Sequence, residues 1–235
     1  MIETAEIQLV LLPPIGSDDR AYYRQRSLPF KVVAPQHIAW RDHESLPQHT
    51  KRFYTHLIAS REVDPTKPII WAGLSLGGAL AQEFSALHPP LTQILMATFT
   101  SNRELSPPVR ATGTIADQIP LSVYDLAGVI APIIMKGIGY MSEDDIDMMI
   151  KGYRRQSKRS FRNAFRALSQ WRGVEDPKRV PTLRIHGEHD PLIPLSRTHG
   201  VHVVLDTMHL ITLAKPEEVN RSVIEYVSRL TGKTG

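Results

Sequence analysis

Six short apolar runs rich in β-branched residues punctuate the chain, at 7–12, 31–33, 69–72, 94–97, 182–186 and 201–205. Most stop at turn chemistry: Pro13-Pro14, Pro35, Gly73, Gly187 and Asp206 follow five of them. Such runs read as buried strands. Between them the spacing turns helical, most clearly over 76–87 and 216–230, where Val219, Val223 and Val227 fall in step and Glu217-Glu218 occupy the first turn. Strand alternating with helix predicts an α/β fold, a mostly parallel sheet with helices on both faces that binds ligands beyond the carboxyl ends of its strands.

The alternation lapses between about 101 and 172. That stretch shows no convincing strand, only helical patterns broken by Pro107-Pro108, Pro120, Pro132 and Gly137, and it reads as a helical cap inserted between core strands. Four of the 7 methionines (Met135, Met141, Met148, Met149) fall there. Flexible thioethers suit a deformable wall over a pocket, and equally suit gluing cap helices to the core. Within the same stretch Lys151, Arg154, Arg155, Lys158, Arg159, Arg162, Arg166 and Arg172 are interleaved with an apolar stripe at Phe161, Phe165 and Leu168. This predicts one basic amphipathic helix over 151–172, whose charged side is in the first instance a solvated face. An anionic substrate tail, a nucleic acid or an acidic membrane surface are the alternative occupants, and no nucleic-acid motif accompanies the cluster.

Composition adds bounds. The 235 residues can form one sizeable domain, and 42% hydrophobic with 22% charged residues is the balance of a folded globular protein. The net charge of +4 is modest and can arise from the basic stretch alone. With no cysteine there is no thiol catalysis, disulfide or thiolate metal site. The first apolar run is too short for a secretory core and no run approaches a membrane span, so the default expectation is a cytoplasmic protein.

Chemistry concentrates at Gly73-Leu74-Ser75-Leu76-Gly77. The five letters alone decide little. Their position between a β-branched strand and a small-residue helix decides more, because a serine on a sharp strand-to-helix turn needs glycines where backbones crowd, and Gly73, Gly77 and Gly78 supply them. The helix N-terminus then turns the Leu76 N–H toward any charge developing on a substrate oxygen.

A serine hydroxyl needs a base, usually a histidine oriented by a carboxylate. Partners of such a turn follow it in the order acid, then base. Asp190 comes after the fifth run and His209 after the sixth, which puts both at the sheet edge where Ser75 sits. Alternatives stay open: Asp190 before Pro191 also fits a turn former, Glu188 and Asp206 are near enough to act as the acid, and His209 also fits a helix cap. His186, His189 and Asp190, or His199 and His202, offer imidazoles to a metal, but without the H-E-x-x-H helix of a zinc hydrolase. No metal and no cofactor are predicted.

On these residues the chain resembles the α/β-hydrolase superfamily, in its single-domain serine esterase form. The resemblance covers 71–81, 186–194 and 208–230, with 12–20 as a weaker fourth segment. It implies Ser75 as nucleophile, Asp190 as acid and His209 as base. It also implies an oxyanion hole formed by the Leu76 N–H and, by position after the first strand, the Ile15 N–H. Three features depart from the family's pattern: Pro14 stands where a glycine is usual, Thr207-Met208 replaces the glycine pair before the histidine, and there is little chain before Ile7 for a first hairpin, so about six strands are expected. The activity implied is cleavage of a carboxylic ester or related acyl bond in a small-molecule substrate. The same triad also serves C–C bond hydrolases and acyltransferases, and a non-catalytic ligand binder on this fold is the alternative from another class.

Overall fold

The computed structural model describes residues 4–124, 141–175 and 180–232. Six parallel strands, β1 (Gln8–Leu12), β2 (Lys31–Val33), β3 (Ile69–Leu74), β4 (Thr92–Met96), β5 (Thr182–Gly187) and β6 (Val203–Leu205), form one sheet in the order β2-β1-β3-β4-β5-β6. Because the chain steps from β1 to β2 on one side and then crosses back to β3 on the other, the strand order reverses between β1 and β3. A crevice opens at the carboxyl ends of such a pair.

The unbroken apolar runs have their reason in two cores. Leu9, Leu11, Ile70, Ala72 and Ile94 point to one face, while Val10, Leu12, Ile69, Trp71 and Leu95 point to the other. The first face is covered by α7 (Pro216–Thr231), whose Val219, Val223 and Val227 are all buried. Each such side chain contributes about 2 kcal/mol. The second face is covered by α1 (Leu46–Ala59) and α2 (Leu76–Leu87) through Phe53, Leu57, Leu80 and Phe84. A short helix α6 (Ile211–Ala214) precedes α7.

Between β4 and β5 lie α3 (Pro107–Thr114), α4 (Glu143–Arg155) and α5 (Lys158–Gln170). Pro132, Met135 and Gly137 of the expected cap lie outside the described residues. The single basic helix expected over 151–172 is corrected here: α4 stops at Arg155, Gln156 and Ser157 are extended, and α5 starts afresh. Ser157 is the reason, since its hydroxyl caps α5 by accepting the Ser160 N–H at 3.4 Å. Most of the basic side chains are exposed, as a solvated face requires, but Arg166 is an exception. Arg166 is buried and donates to His43 Nδ1 at 3.1 Å and to the Glu44 carbonyl at 3.2 Å, and Arg159 pairs with Asp42. Met149 is buried in the first core, with Met141 and Met148 packed against it. Among the described residues no helix is long and apolar enough to cross a membrane.

Two contacts shape the crevice between β1 and β3. At Gly77 a Cβ would lie 2.0 Å from the Leu12 carbonyl oxygen, so only glycine lets the start of α2 come this close to the end of β1. At the same level the buried Tyr22 hydroxyl donates to the Leu12 carbonyl at 2.6 Å and accepts the Leu74 N–H at 2.7 Å. Register pairing of the two strands ends at Leu12 and Gly73. Tyr22 thus bridges the ladder where the strands part.

Gly77→Ala should lower unfolding stability by about 3 kcal/mol, because the clash is with backbone that has nowhere to move. Urea denaturation checks it, and a near-neutral result would mean that the approach of Leu12 is not obligatory. Tyr22→Phe should lower stability by about 2 kcal/mol, since it leaves a buried N–H and carbonyl without their partner. In the same measurement, a loss below about 0.5 kcal/mol would show that the bridge contributes nothing net.

Candidate active site

Ser75 follows the last residue of β3 with φ 56° and ψ −120°, a conformation outside both the strand and helix regions. Its backbone is tied on every side: its N–H donates to the Met96 carbonyl at 3.0 Å, and its own carbonyl accepts from Gly78 and Ala79 N–H and from the Thr98 hydroxyl at 2.6 Å. The surroundings over-determine the strained residue, as strained functional residues require. Its side chain stays partly exposed at the sheet edge. Leu76 then opens α2, where the first N–H groups of a helix have no intrahelical acceptor.

The loop after β1 folds as a turn. Ser17 N–H reaches the Pro14 carbonyl at 3.4 Å, and Gly16 adopts φ 73° at the third position, which a type II turn reserves for glycine. Pro14 therefore needs no N–H of its own, and its presence at the usual glycine position does not break the loop. Its carbonyl is held again by His37 Nε2 at 3.0 Å. Burial pushes the His37 imidazole down to about 4, so at neutral pH it is uncharged and donates through Nε2. Ile15 sits at the second position of this turn with its side chain against the second core.

Asp190 lies in the loop after β5 and His209 in the loop after β6. The Asp190 carboxylate is buried with each oxygen assigned: Oδ1 accepts the Leu192 and Ile193 N–H groups at 2.9 and 3.0 Å, and Oδ2 lies 2.7 Å from His209 Nδ1. Burial alone would raise its pKa, but His209 and these donors outweigh it and hold the acid below the ordinary carboxylate value. His209 is buried as well. With Nδ1–H committed to the acid, Nε2 carries the free lone pair. Ser75, Asp190 and His209 therefore come from the carboxyl ends of β3, β5 and β6, on one edge of a parallel sheet.

The alternative acids lie elsewhere. Asp206 is 82% exposed with its Oδ1 3.2 Å from His189 Nε2, and Glu188 is exposed beside them. Those three, with ligand atoms within 4.8 Å of one another, are the one group of this kind among the described residues, and every member faces solvent. Of the other imidazoles considered as ligands, two have structural partners: His186 Nε2 meets the Ile193 carbonyl at 2.7 Å, and His202 Nδ1 accepts the Arg184 N–H at 3.1 Å.

Three residues around this edge escaped the sequence reading: Tyr22 and His37 hold the first loop, and Thr98 holds the Ser75 carbonyl. His186, weighed there as an imidazole for a metal, instead props the acid loop, kept neutral by burial. Only Gly187 left a legible signal. A Cβ there would lie 2.0 Å from the Met208 carbonyl, so the glycine that the histidine loop lacks is supplied by the strand opposite.

No curated protein sequence matches the chain. Solved structures do. An esterase from Thermogutta terrifontis aligns over 95% of this chain and 90% of its own with a TM-score of 0.72 at 16% identity. The enol-lactonase from Burkholderia xenovorans LB400 aligns over 94% and 91% with a TM-score of 0.69 at 16% identity. An epoxide hydrolase from Bacillus megaterium aligns over 94% and 93% with a TM-score of 0.69 at 15% identity. At such identity these likenesses establish the fold. The family is established separately: the model of the alpha/beta hydrolase family matches residues 9–222, and the chain belongs to that family.

Proposed function

We propose that the protein hydrolyses a carboxylic ester, or a related acyl bond, of a small-molecule substrate through an acyl-enzyme on Ser75. The observation that carries this reading is the 2.7 Å contact between His209 Nδ1 and a buried, fully bonded Asp190 carboxylate. That contact sets the tautomer a general base needs. His209 Nε2 takes the proton as Ser75 Oγ attacks the carbonyl carbon. It returns the proton to the departing alcohol oxygen, leaving the acyl group on Ser75. Water then repeats the sequence: His209 removes its proton, the new tetrahedral centre collapses, and Ser75 recovers its hydrogen. Asp190 stays ionised throughout and offsets the imidazolium charge.

The Leu76 N–H and the Ile15 N–H serve in this reading as the oxyanion hole, each worth about 3 kcal/mol in the transition state. In this reading the cap over the substrate falls within 101–172, with α3, α4 and α5 as its described helices.

Replacing Ser75 by alanine should reduce turnover of p-nitrophenyl acetate by about 10⁴-fold or more with the fold intact. Asp190→Asn should cost about 10³-fold or more, because the imidazole loses its preferred tautomer. Asp206→Asn should stay within about twofold of wild type, as expected of an exposed side chain. Steady-state kinetics on the three variants decides: undiminished turnover in Ser75→Ala refutes the nucleophile, and a reversal of the two aspartate results moves the acid to Asp206.

A further inference from the structure

Beside the turn that carries Ile15 lies a cleft of about 540 Å³, a volume within the ordinary range of small-molecule sites. Ser75 and His209 do not line it. Ile15 does, so the cleft meets the proposed site at one of its two oxyanion donors. A substrate whose carbonyl oxygen rests on the Ile15 N–H can thus extend one arm into this space.

The cleft has a firm apolar wall and a polar mouth. Ile38, Trp40 and Ala164 form the wall. Trp40 is held flat by His49, stacked 3.5 Å away with 3° between the rings, and by its own N–H, which donates to the Ser160 hydroxyl at 3.0 Å. Its indole N–H is buried and has no acceptor among the described residues. The mouth is formed by Arg155, Gln156 and Ser157, at the junction where α4 ends and α5 begins.

Charge at that mouth selects the ligand. Four charged side chains line the cleft, Asp18, Asp19, Arg20 and Arg155. Asp18 is saturated by Arg20 at 2.6 Å, and Asp19 is bonded by Arg26 and Gln36. Arg155 makes no hydrogen bond or salt bridge among the described residues, though it lies near enough to Asp18 to help hold that carboxyl below its ordinary value. The N-terminus of α5, capped by Ser157, adds a favourable potential for an anion. The two aspartates on the rim oppose a doubly charged phosphate more than a singly charged carboxylate. An arginine fork also matches the two oxygens of a carboxylate.

We propose that this cleft receives one arm of the substrate and that Arg155 binds a carboxylate at the end of that arm, making half-esters of aliphatic dicarboxylic acids the preferred substrate class. The inference rests on the hydrolase reading for its carbonyl position, but the binding of the arm can be measured without turnover.

The test compares the p-nitrophenyl half-ester of glutaric acid with p-nitrophenyl pentanoate, which has the same chain length without the charge. Wild type should favour the half-ester in kcat/KM, and Arg155→Gln should cut that preference about tenfold, mainly through KM. A preference that is unchanged in Arg155→Gln overturns the proposal. Glutarate is titrated in parallel into Ser75→Ala, with and without Arg155→Gln, and followed by NMR. Binding should weaken about tenfold when Arg155 is replaced. Equal binding in both proteins, or none in either, overturns the proposal as well. Glutarate binding that weakens when Arg155 is replaced, in a protein whose wild type cleaves neither ester, would sink the hydrolase reading and leave the cleft assignment standing. Tighter binding of the phosphate-terminated analogue would overturn the choice of carboxylate.

Discussion

The approach of the Leu12 carbonyl to the first turn of α2 is the constraint on which the rest of the site depends. It requires glycine at position 77, and it brings the loop after β1 and the strained Ser75 to the same end of the crevice. Two strands that part at their ends would leave a backbone N–H and a carbonyl unpaired in the core, at a cost of about 1–3 kcal/mol each. The Tyr22 hydroxyl meets both. Its single O–H can donate only once, so it accepts from one strand and donates to the other. That gives a direction to the bridge and fixes the separation of the strand ends. The spacing of the proposed nucleophile from the proposed oxyanion loop is thereby built into the sheet before any substrate is present.

A second constraint acts at β5 and β6, where a carboxylate is buried. Such a charge is costly unless its oxygens are bonded, and Asp190 meets this with two backbone N–H groups on one oxygen and His209 on the other. The two N–H groups come from Leu192 and Ile193, so the loop must double back over the acid. His186 holds it there through the Ile193 carbonyl. His186 is uncharged for the same reason that it is useful, since burial penalises its charged form. A protonated His186 would put a cation 3.5 Å from Asp190 and compete with His209 for it.

Much of this was legible in the chain because burial on both faces of a parallel sheet writes itself as unbroken apolar runs. All six strands and the helix behind Ser75 follow from that signal, and Asp190 and His209 from their places after the fifth and sixth strands. What was not legible depends on partners distant in sequence. Tyr22 and Leu74 are 52 residues apart, and nothing local distinguishes Tyr22 from the neighbouring, exposed Tyr23. Among ten histidines, nothing local marks His37 as the partner of the Pro14 carbonyl, or His186 as the partner of the Ile193 carbonyl rather than of a metal. The absence of a glycine pair before His209 does not show that Gly187 leaves the room there, since a close approach needs space on one side only. The break between α4 and α5 was the one local feature passed over. Continuous charge and a continuous apolar stripe hid the capping signal of Ser157.

That break changes the meaning of the basic residues. In one long helix they would share a face and present a general positive surface. With the chain extended at Gln156 and Ser157, the group divides: Arg159 and Arg166 turn to the loop at 42–44 and fasten α5 to the core, while Lys151 pairs with Asp147 in its own helix. Arg155, as the last residue of α4, belongs to neither set and stands over the cleft. The same serine that interrupts the helix caps the next one, so the interruption places a cation and a helix N-terminus side by side. Of the eight basic side chains in the segment, Arg159 and Arg166 are the two bonded to the loop at 42–44, and the net charge of the whole chain is only +4. Any selectivity for anions then has to come from the position of a few groups rather than from a field around the whole molecule, and position is what a break between two anchored helices supplies.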